Sequence, residues 1–478
     1  MMNKIFNFLI CLAFPILSIG QSAIDLGDKR EIFVDSFLIE KLDGLEIVKH
    51  EPVDEGPVLE FDKPWEGNFS TYTTIIKDRD VFKAFYRGVR EAGEDGNSSE
   101  VTCYAESQDG IHWIKPSLGL FEVNGTKDNN VILANAAPVT HNFSPFLDTN
   151  PNAKPNERYK ALGGTLNSGL IAFTSPDGIH WKKVREKPVF TDGILDSQNV
   201  AFWSESENMY VCYFRSWTGE GYSGIRSVSR TTSQDFINWT DPEQMTFGDT
   251  RLEHLYTNQT SPYYRAPHIY VAIGGRFMPG RQVLTEEQAK EFNVNPKYFK
   301  DCSDAFFMTS RGGTAYTRLF MEALIRPGIG LDNWVSRSNY PALNVVQTSP
   351  EEMSLYVNQN YAQPTANLNR YSFRIDGFTS ISAPYSGGEF LTKPFTFTGS
   401  KLEVNYATSA AGEIKFEMQD ENGSAIPGFT MEESRALIGN EISRTVKWNG
   451  KLEQLASKTV QLRVYMKDAD LYSIKFSD

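Results

Sequence analysis

A short hairpin motif returns along this chain, and its spacing restricts the fold more than any other feature. Ser107-Gln-Asp-Gly-Ile-His-Trp113 recurs as Ser175-Pro-Asp-Gly-Ile-His-Trp181 and as Ser233-Gln-Asp-Phe-Ile-Asn-Trp239. Weaker copies follow at Ser310-Arg-Gly-Gly-Thr-Ala-Tyr316 and Arg374-Ile-Asp-Gly-Phe378. Asp-Gly between two alternating runs marks a tight hairpin, because both residues tolerate the positive φ that such a turn demands. The copies stand roughly 60 to 75 residues apart, the length of a four-stranded propeller blade with generous loops. Each is preceded by a strand such as Val81-Phe-Lys-Ala-Phe-Tyr86, Met209-Tyr-Val-Cys-Tyr-Phe214 or Ile269-Tyr-Val-Ala-Ile273. Helical periodicity is nearly absent. The chain therefore reads as all-β, a five-bladed β-propeller rather than an array of sandwiches.

The repeat stops near Gly388. Beyond it Leu402-Glu-Val-Asn-Tyr406, Glu413-Ile-Lys-Phe-Glu417 and Val460-Gln-Leu-Arg-Val-Tyr465 alternate apolar with polar, the pattern of a C-terminal β-sandwich. The expected organisation is a signal peptide at 1–20, N-terminal strands packing on the propeller at 21–60, the propeller at 61–387 and the sandwich at 388–478. Lys4 followed by the apolar stretch 5–16, with Ser18 and Gly20 before Gln21, forms the export signal. That stretch is too short to span a bilayer. The mature protein is expected in the periplasm or outside the cell. Outside that leader, which holds Cys11, Cys103, Cys212 and Cys302 remain, an odd number with no metal-ligand spacing. Neither cofactor nor metal motif is present, and a structural calcium in the channel is not readable from the residues. A net charge of −13 excludes the basic face that nucleic acid requires.

Blade topology sorts the acidic residues. Strands within a blade are antiparallel, so the first-to-second and third-to-fourth turns share one face of the disk. Asp109, Asp177, Asp235, Asp376 and Asp148 fall there and read as turn formers. The opposite face carries the starts of the innermost strands. These contribute Glu66, Asp196 and Glu253, interleaved with His141, Asn142, Gln198, Asn199, Tyr256 and Asn258. Carboxylates, amides and aromatic rings together suit a carbohydrate. Second strands end on the same face in Arg87, Arg215 and Arg276. These arginines either orient the carboxylates or grip a sulfate or carboxylate of the substrate bidentately. The loops 89–100, 216–224 and 278–304 rim that mouth.

With five repeats, the Ser-x-Asp-Gly-x-x-Trp hairpins and an appended sandwich, the chain resembles the five-bladed propeller glycoside hydrolases, the group of invertases, arabinanases and neoagarobiose hydrolases. It is similar also to exported bacterial propeller proteins that carry a stretch like Phe33-Val-Asp35 and a motif like Pro64-Trp-Glu66. Its turn motif resembles the sialidase Asp-box, with the glycine one residue earlier. The resemblance implies an aspartate in the first blade, an aspartate near the middle and a glutamate further on. Asp196 and Glu253 match the last two, while the first blade offers Glu66 in place of an aspartate. Asp35 could reach the mouth only if the N-terminal strand entered the channel.

The expected chemistry is acid–base hydrolysis of a glycosidic bond, with Glu253 protonating the leaving oxygen and Glu66 or Asp196 activating water or attacking the sugar. Rim loops favour exo action on a plant or algal saccharide, anionic or sulfated if the arginines face it. Two rivals stand beside this reading: a non-catalytic glycan-binding propeller, and a polysaccharide lyase working through His141, His254 and Tyr256. Oligomeric state is not readable.

Overall fold

The computed structural model describes residues 23–91 and 93–478; the export signal expected at 1–20 and Cys11 within it lie outside them. Five antiparallel blades surround one axis. Their innermost strands are Thr71–Asp78, Ser144–Leu147, Val200–Ser204, Thr260–Tyr263 and the pair Tyr340–Pro341 and Val346–Gln347. The ring closes edge to edge where Thr74 of the first blade bridges Leu343 of the fifth. The fifth blade takes its outermost strand from the start of the chain: Val53–Glu60 pairs antiparallel with Asn367–Arg374.

The repeated hairpins are built from one set of bonds. Ser107 Oγ donates to Asp109 Oδ1 at 2.9 Å, and that oxygen accepts the amides of Ile111 and His112 at 2.8 Å each. Asp177 accepts Ile179 and His180 at 2.8 Å, and Asp235 accepts Ile237 at 2.9 Å and Asn238 at 2.8 Å. The tryptophan folds back, Trp181 Nε1 donating to Gly178 O at 2.8 Å. Gly110 sits at φ +75°, and a Cβ there would stand 2.7 Å from the hydroxyl of Tyr356 in the neighbouring blade. That hydroxyl donates to Gly110 O at 2.6 Å. These corners thus clasp adjacent blades together.

The fifth copy departs from the expectation. Because Val53–Glu60 supplies the fourth strand of that blade, the corner at Asp376 leads out of the propeller instead of back into it. Asp376 is wholly buried and accepts Tyr263 Oη at 2.7 Å, Arg265 Nη1 at 2.8 Å and Ser473 Oγ at 2.6 Å. It is the joint between the two halves of the molecule. Its neighbour Thr379–Ala383 already pairs with Gln461–Ser477, so the sandwich begins before residue 388.

The N-terminal segment is likewise divided. Arg30–Ile32, Ile39–Asp43 and Glu46–Lys49 pair with C-terminal strands, and only Val53–Glu60 joins a blade, while Ile32 and Val34 pack on the propeller against Tyr263, Ile269 and Phe307. Register decides this: Arg30, Glu31 and Ile32 face Lys475, Ile474 and Ser473. The sheet folds over one apolar core that includes Phe33, Phe390, Phe395, Phe416 and Val464. Asp35 lies at this junction, bound by Arg311 Nε at 2.8 Å, and does not enter the channel. Among the described residues no helix is long and apolar enough to cross a membrane.

Candidate active site

All five blades meet at a plug across the axis. Gln198 Nε2 donates to Thr74 Oγ1 at 3.0 Å and to Ser144 Oγ at 3.3 Å. Gln259 Nε2 donates to Gln198 Oε1 at 2.8 Å and to Pro341 O at 2.9 Å. The plug separates two openings. Below it is a wide funnel of about 500 Å³, walled by Ile76, Phe146, Phe202, Trp203, Pro262 and Val345. Above it is a narrow cavity lined by Tyr72, Arg87, Asp95, His141, Tyr256, Arg337, Tyr340 and Tyr361. The free space there is about 10 Å³, room for one water molecule, so a sugar would sit on this ring rather than within it.

The upper ring is cationic and aromatic. Arg87 lies 4.9 Å above the Tyr72 ring, donates to Phe69 O at 3.0 Å and places Nη1 3.1 Å from His141 Nδ1. His141 Nδ1 is 3.0 Å from Glu100 Oε1, and its Nε2 is 3.8 Å from Asp95 Oδ1. Arg215 bonds to Asp196 Oδ1 and stacks 4.5 Å above Tyr256. Arg337 stands 5.5 Å from the Tyr256 ring and 5.1 Å from that of Tyr298. Guanidinium groups over aromatic faces keep their charge while shedding water. Several donors remain open: Arg87 Nε and Arg215 Nε and Nη1 are buried without a partner. A buried N–H without an acceptor is costly, and an incoming oxyanion would satisfy it.

Four residues in or beside the plug and the cavity hold left-handed backbone. Tyr72 has φ +53°, Gln259 +49°, Arg337 +63° and Asn339 +62°. Left-handed backbone at bulky residues costs roughly 1–3 kcal/mol each and gathers where geometry serves function. The loop 278–304 forms one wall. Its helix Glu286–Glu291 is capped by Thr285, and Tyr298 packs on Phe69 at 5.7 Å and on Tyr361 at 5.4 Å.

The expected carboxylate trio is not brought together. Glu66 is wholly buried inside the first blade, where it accepts Tyr86 Oη at 2.5 Å, Lys115 Nζ at 2.6 Å and the Lys63 amide at 3.0 Å. The Pro-Trp-Glu motif is therefore a loop anchor. Glu253 gives its oxygens to Arg318 Nη2 at 2.6 Å and Arg276 Nη1 at 3.2 Å, and Arg276 also holds Asp304 bidentately at 2.7 and 2.6 Å. Glu253 lines a separate crevice with Thr218, Arg226 and Thr250. Of the three acids only Asp196 borders the mouth, beside Arg215 and Tyr222.

The amides are structural too. Asn142 Nδ2 donates to Gly164 O, Leu195 O and Ser197 O at 2.9, 2.7 and 2.7 Å. Asn199 donates to Leu195 O at 3.1 Å, Asn258 accepts the Thr260 amide at 3.0 Å, and Gln198 belongs to the plug. Arg87, Arg215, His141 and Tyr256 do reach the mouth, whereas Arg276 serves Glu253 and Asp304. His254 lies aside, its Nδ1 accepting the Arg226 amide at 3.2 Å. Residues not singled out from the sequence are Tyr72, Asp95, Arg337 and Tyr361. Arg337 lies three residues before the innermost strand of the fifth blade, which starts at Tyr340, and Asp95 lies within the rim loop 89–100.

Cys103, Cys212 and Cys302 are free and buried. Among the described residues no cluster of His, Cys, Asp and Glu is arranged to hold a metal ion.

No family model matches this chain, and no curated protein does. Solved structures similar to it include an N-acetylgalactosamine deacetylase from F. plautii in complex with blood group B trisaccharide, at 13% identity over 70% of this chain and 96% of that one, TM-score 0.44. A glycoside hydrolase family 43 arabinoxylan arabinofuranohydrolase from Bacillus subtilis in complex with cellotetraose gives 10%, 88%, 99% and 0.41 for the same quantities. A Bombyx mori GH32 beta-fructofuranosidase gives 10%, 88%, 94% and 0.42. Likeness this remote carries no argument about chemistry, which rests on the residues themselves.

Proposed function

We propose that this chain is an exported glycoside hydrolase that removes an anionic sugar from the end of a plant or algal saccharide. One observation carries the reading: Arg87, Arg215 and Arg337 surround a single mouth, with buried N–H groups left open, on a chain whose net charge is −13. Such a constellation opposes the overall field and fits a carboxylate or sulfate, which guanidinium binds in two-point fashion. The plug of Gln198 and Gln259 blocks passage along the axis, which favours a chain end over a mid-chain segment. Asp95, which lines the cavity and stands half-exposed, protonates the leaving oxygen. Asp196, held against Arg215, offsets positive charge developing on the sugar ring.

Incubating the purified protein with matched uronate-capped, sulfated and neutral oligosaccharides tests this. Release of an acidic monosaccharide, with neutral analogues left intact, is the expected result. Cleavage of neutral substrates at the same rate, or binding of every member without cleavage, overturns it. A second reading, elimination by a lyase, is favoured by His141 and Tyr256 standing against arginines. Its product carries a carbon–carbon double bond and absorbs in the near ultraviolet, so the same incubation separates the two.

A further inference from the structure

Resting on the proposed hydrolysis, we infer that Tyr256 is the nucleophile: its phenolic oxygen, in place of a second carboxylate, bonds to the anomeric carbon. Tyr256 lines the upper cavity together with Asp95, Arg87 and Arg337. Its main chain is pinned on both sides, its amide donating to Gly275 O at 2.7 Å and its carbonyl accepting Ser197 Oγ at 2.9 Å. Its ring is wedged between Tyr340 at 5.1 Å and Phe277 at 5.7 Å. A group held this rigidly is placed for attack at little further entropic cost.

Its charged surroundings set it apart from its neighbours. The groups facing it are Arg215 at 4.5 Å, Arg226 at 5.4 Å and Arg337 at 5.5 Å from the ring, with Asp196, Tyr72 and Tyr340 beyond. Burial would push the Tyr256 hydroxyl up, yet the charges of Arg337 and Arg215 outweigh burial and Asp196 and hold it below the ordinary tyrosine value. Tyr72 and Tyr340 move the other way, raised first by their own burial and then by Tyr256. Three tyrosines share one mouth, and the field favours negative charge on one of them.

The carboxylates leave this role open. Glu66 is sealed inside a blade, Glu253 is taken by Arg276 and Arg318, and Asp196 is taken by Arg215. The substrate class argues in the same direction. An acidic sugar brings a negative charge close to its anomeric centre, and a carboxylate nucleophile would set a second localised charge against it. A phenolate spreads its charge over the ring and lies among guanidinium groups.

The step balances. The Tyr256 hydroxyl first releases its proton to solvent; its oxygen then forms a bond to the anomeric carbon as the glycosidic C–O bond breaks, and the departing oxygen takes the proton of Asp95. Water then attacks the same carbon and yields a proton to Asp95, and the aryl C–O bond breaks to restore the phenolate. The anomeric configuration is retained.

Tyr256→Phe tests the inference, with three readouts on folded protein. On a substrate that the wild type cleaves, kcat should fall by about 10³-fold or more while KM changes little. A fluorinated, slowly hydrolysed analogue of that acidic sugar should leave a covalent adduct on the Tyr256 peptide, absent from the variant. A spectrophotometric titration should reveal one tyrosine ionising below the rest in the wild type and none in Tyr256→Phe. An adduct on Asp196, a variant that keeps wild-type kcat, or no early-ionising tyrosine overturns the role of Tyr256 while leaving the hydrolase intact. A wild type that cleaves no anionic substrate sinks the hydrolase reading instead, and the titration still reports on the phenol.

Discussion

The two faces of the disk are made from the same strands and solve opposite problems. On the lower face three corners repeat one bonding scheme, and the opening they surround is wide and walled by apolar side chains. On the upper face no such bonding scheme recurs. Tyrosines and arginines from several blades converge on a narrow space, and buried guanidinium donors collect there. Repetition of the corners therefore marks what holds the ring together, and the proposed site lies on the face without them. On the proposed reading the wider cavity is not the reactive one, because reactivity follows from converging charge rather than volume.

That contrast can be broken or sharpened by substitution. The largest effect is expected above the plug: Arg337→Ala should lower kcat/KM on an acidic substrate by about 10²–10³-fold, the usual cost of losing one preorganised donor. The melting transition should barely move, and parallel kinetics and calorimetry check both. Glu66→Gln should do the reverse. Removing one partner of a buried ion pair costs about 3–5 kcal/mol, read as a drop in the urea midpoint, with activity per folded molecule retained. If that variant were stable but inactive, Glu66 would belong to the mouth after all.

Below the plug, Gly110→Ala should cost about 1–2 kcal/mol from its left-handed backbone. Contact with Tyr356 adds to this, the new Cβ standing 2.7 Å from its hydroxyl. Activity should again survive. The smallest effect concerns acid. Burial would raise Asp177 and Asp235, but amide donors outweigh it and hold each at about 2, below the ordinary 3.8. Their contribution is therefore complete above about pH 4 and withdrawn as pH falls towards 2. Denaturant midpoints should decline over that window, and less steeply in Asp177→Asn and Asp235→Asn.

Much of the architecture was legible because it is local. A Ser-x-Asp-Gly corner needs only its own few residues to form, so its repetition revealed the blades and the lower face together. What failed was decided by distant partners. Glu66 occupies the right place in its blade for a catalytic acid, yet Tyr86 and Lys115 claim both oxygens. Asp376 carries the corner motif, but the strand that would complete its corner comes from the other end of the chain. Asn142 and Asn199 look like sugar-binding amides and instead tie loop carbonyls. Arg337 was missed because its signal is a backbone angle and not a residue pattern. Alternation and turn chemistry report a strand's existence, while a side chain's duty depends on what folding sets opposite it.

The borrowed strand Val53–Glu60 also dictates when this protein can become whole. A ribosome releases that segment early, and its mate Asn367–Arg374 more than three hundred positions later. Arg30–Ile32 waits longer still for its partner at the extreme C-terminus. Blades one to four can collapse as they emerge, but the circle stays unlatched until Asn367–Arg374 has been made, and the adjoining module until Gln461–Ser477 has. Nascent chains stalled before Asn367–Arg374 should accordingly present two unzipped sheet edges at once, the state in which this fold has most need of a chaperone.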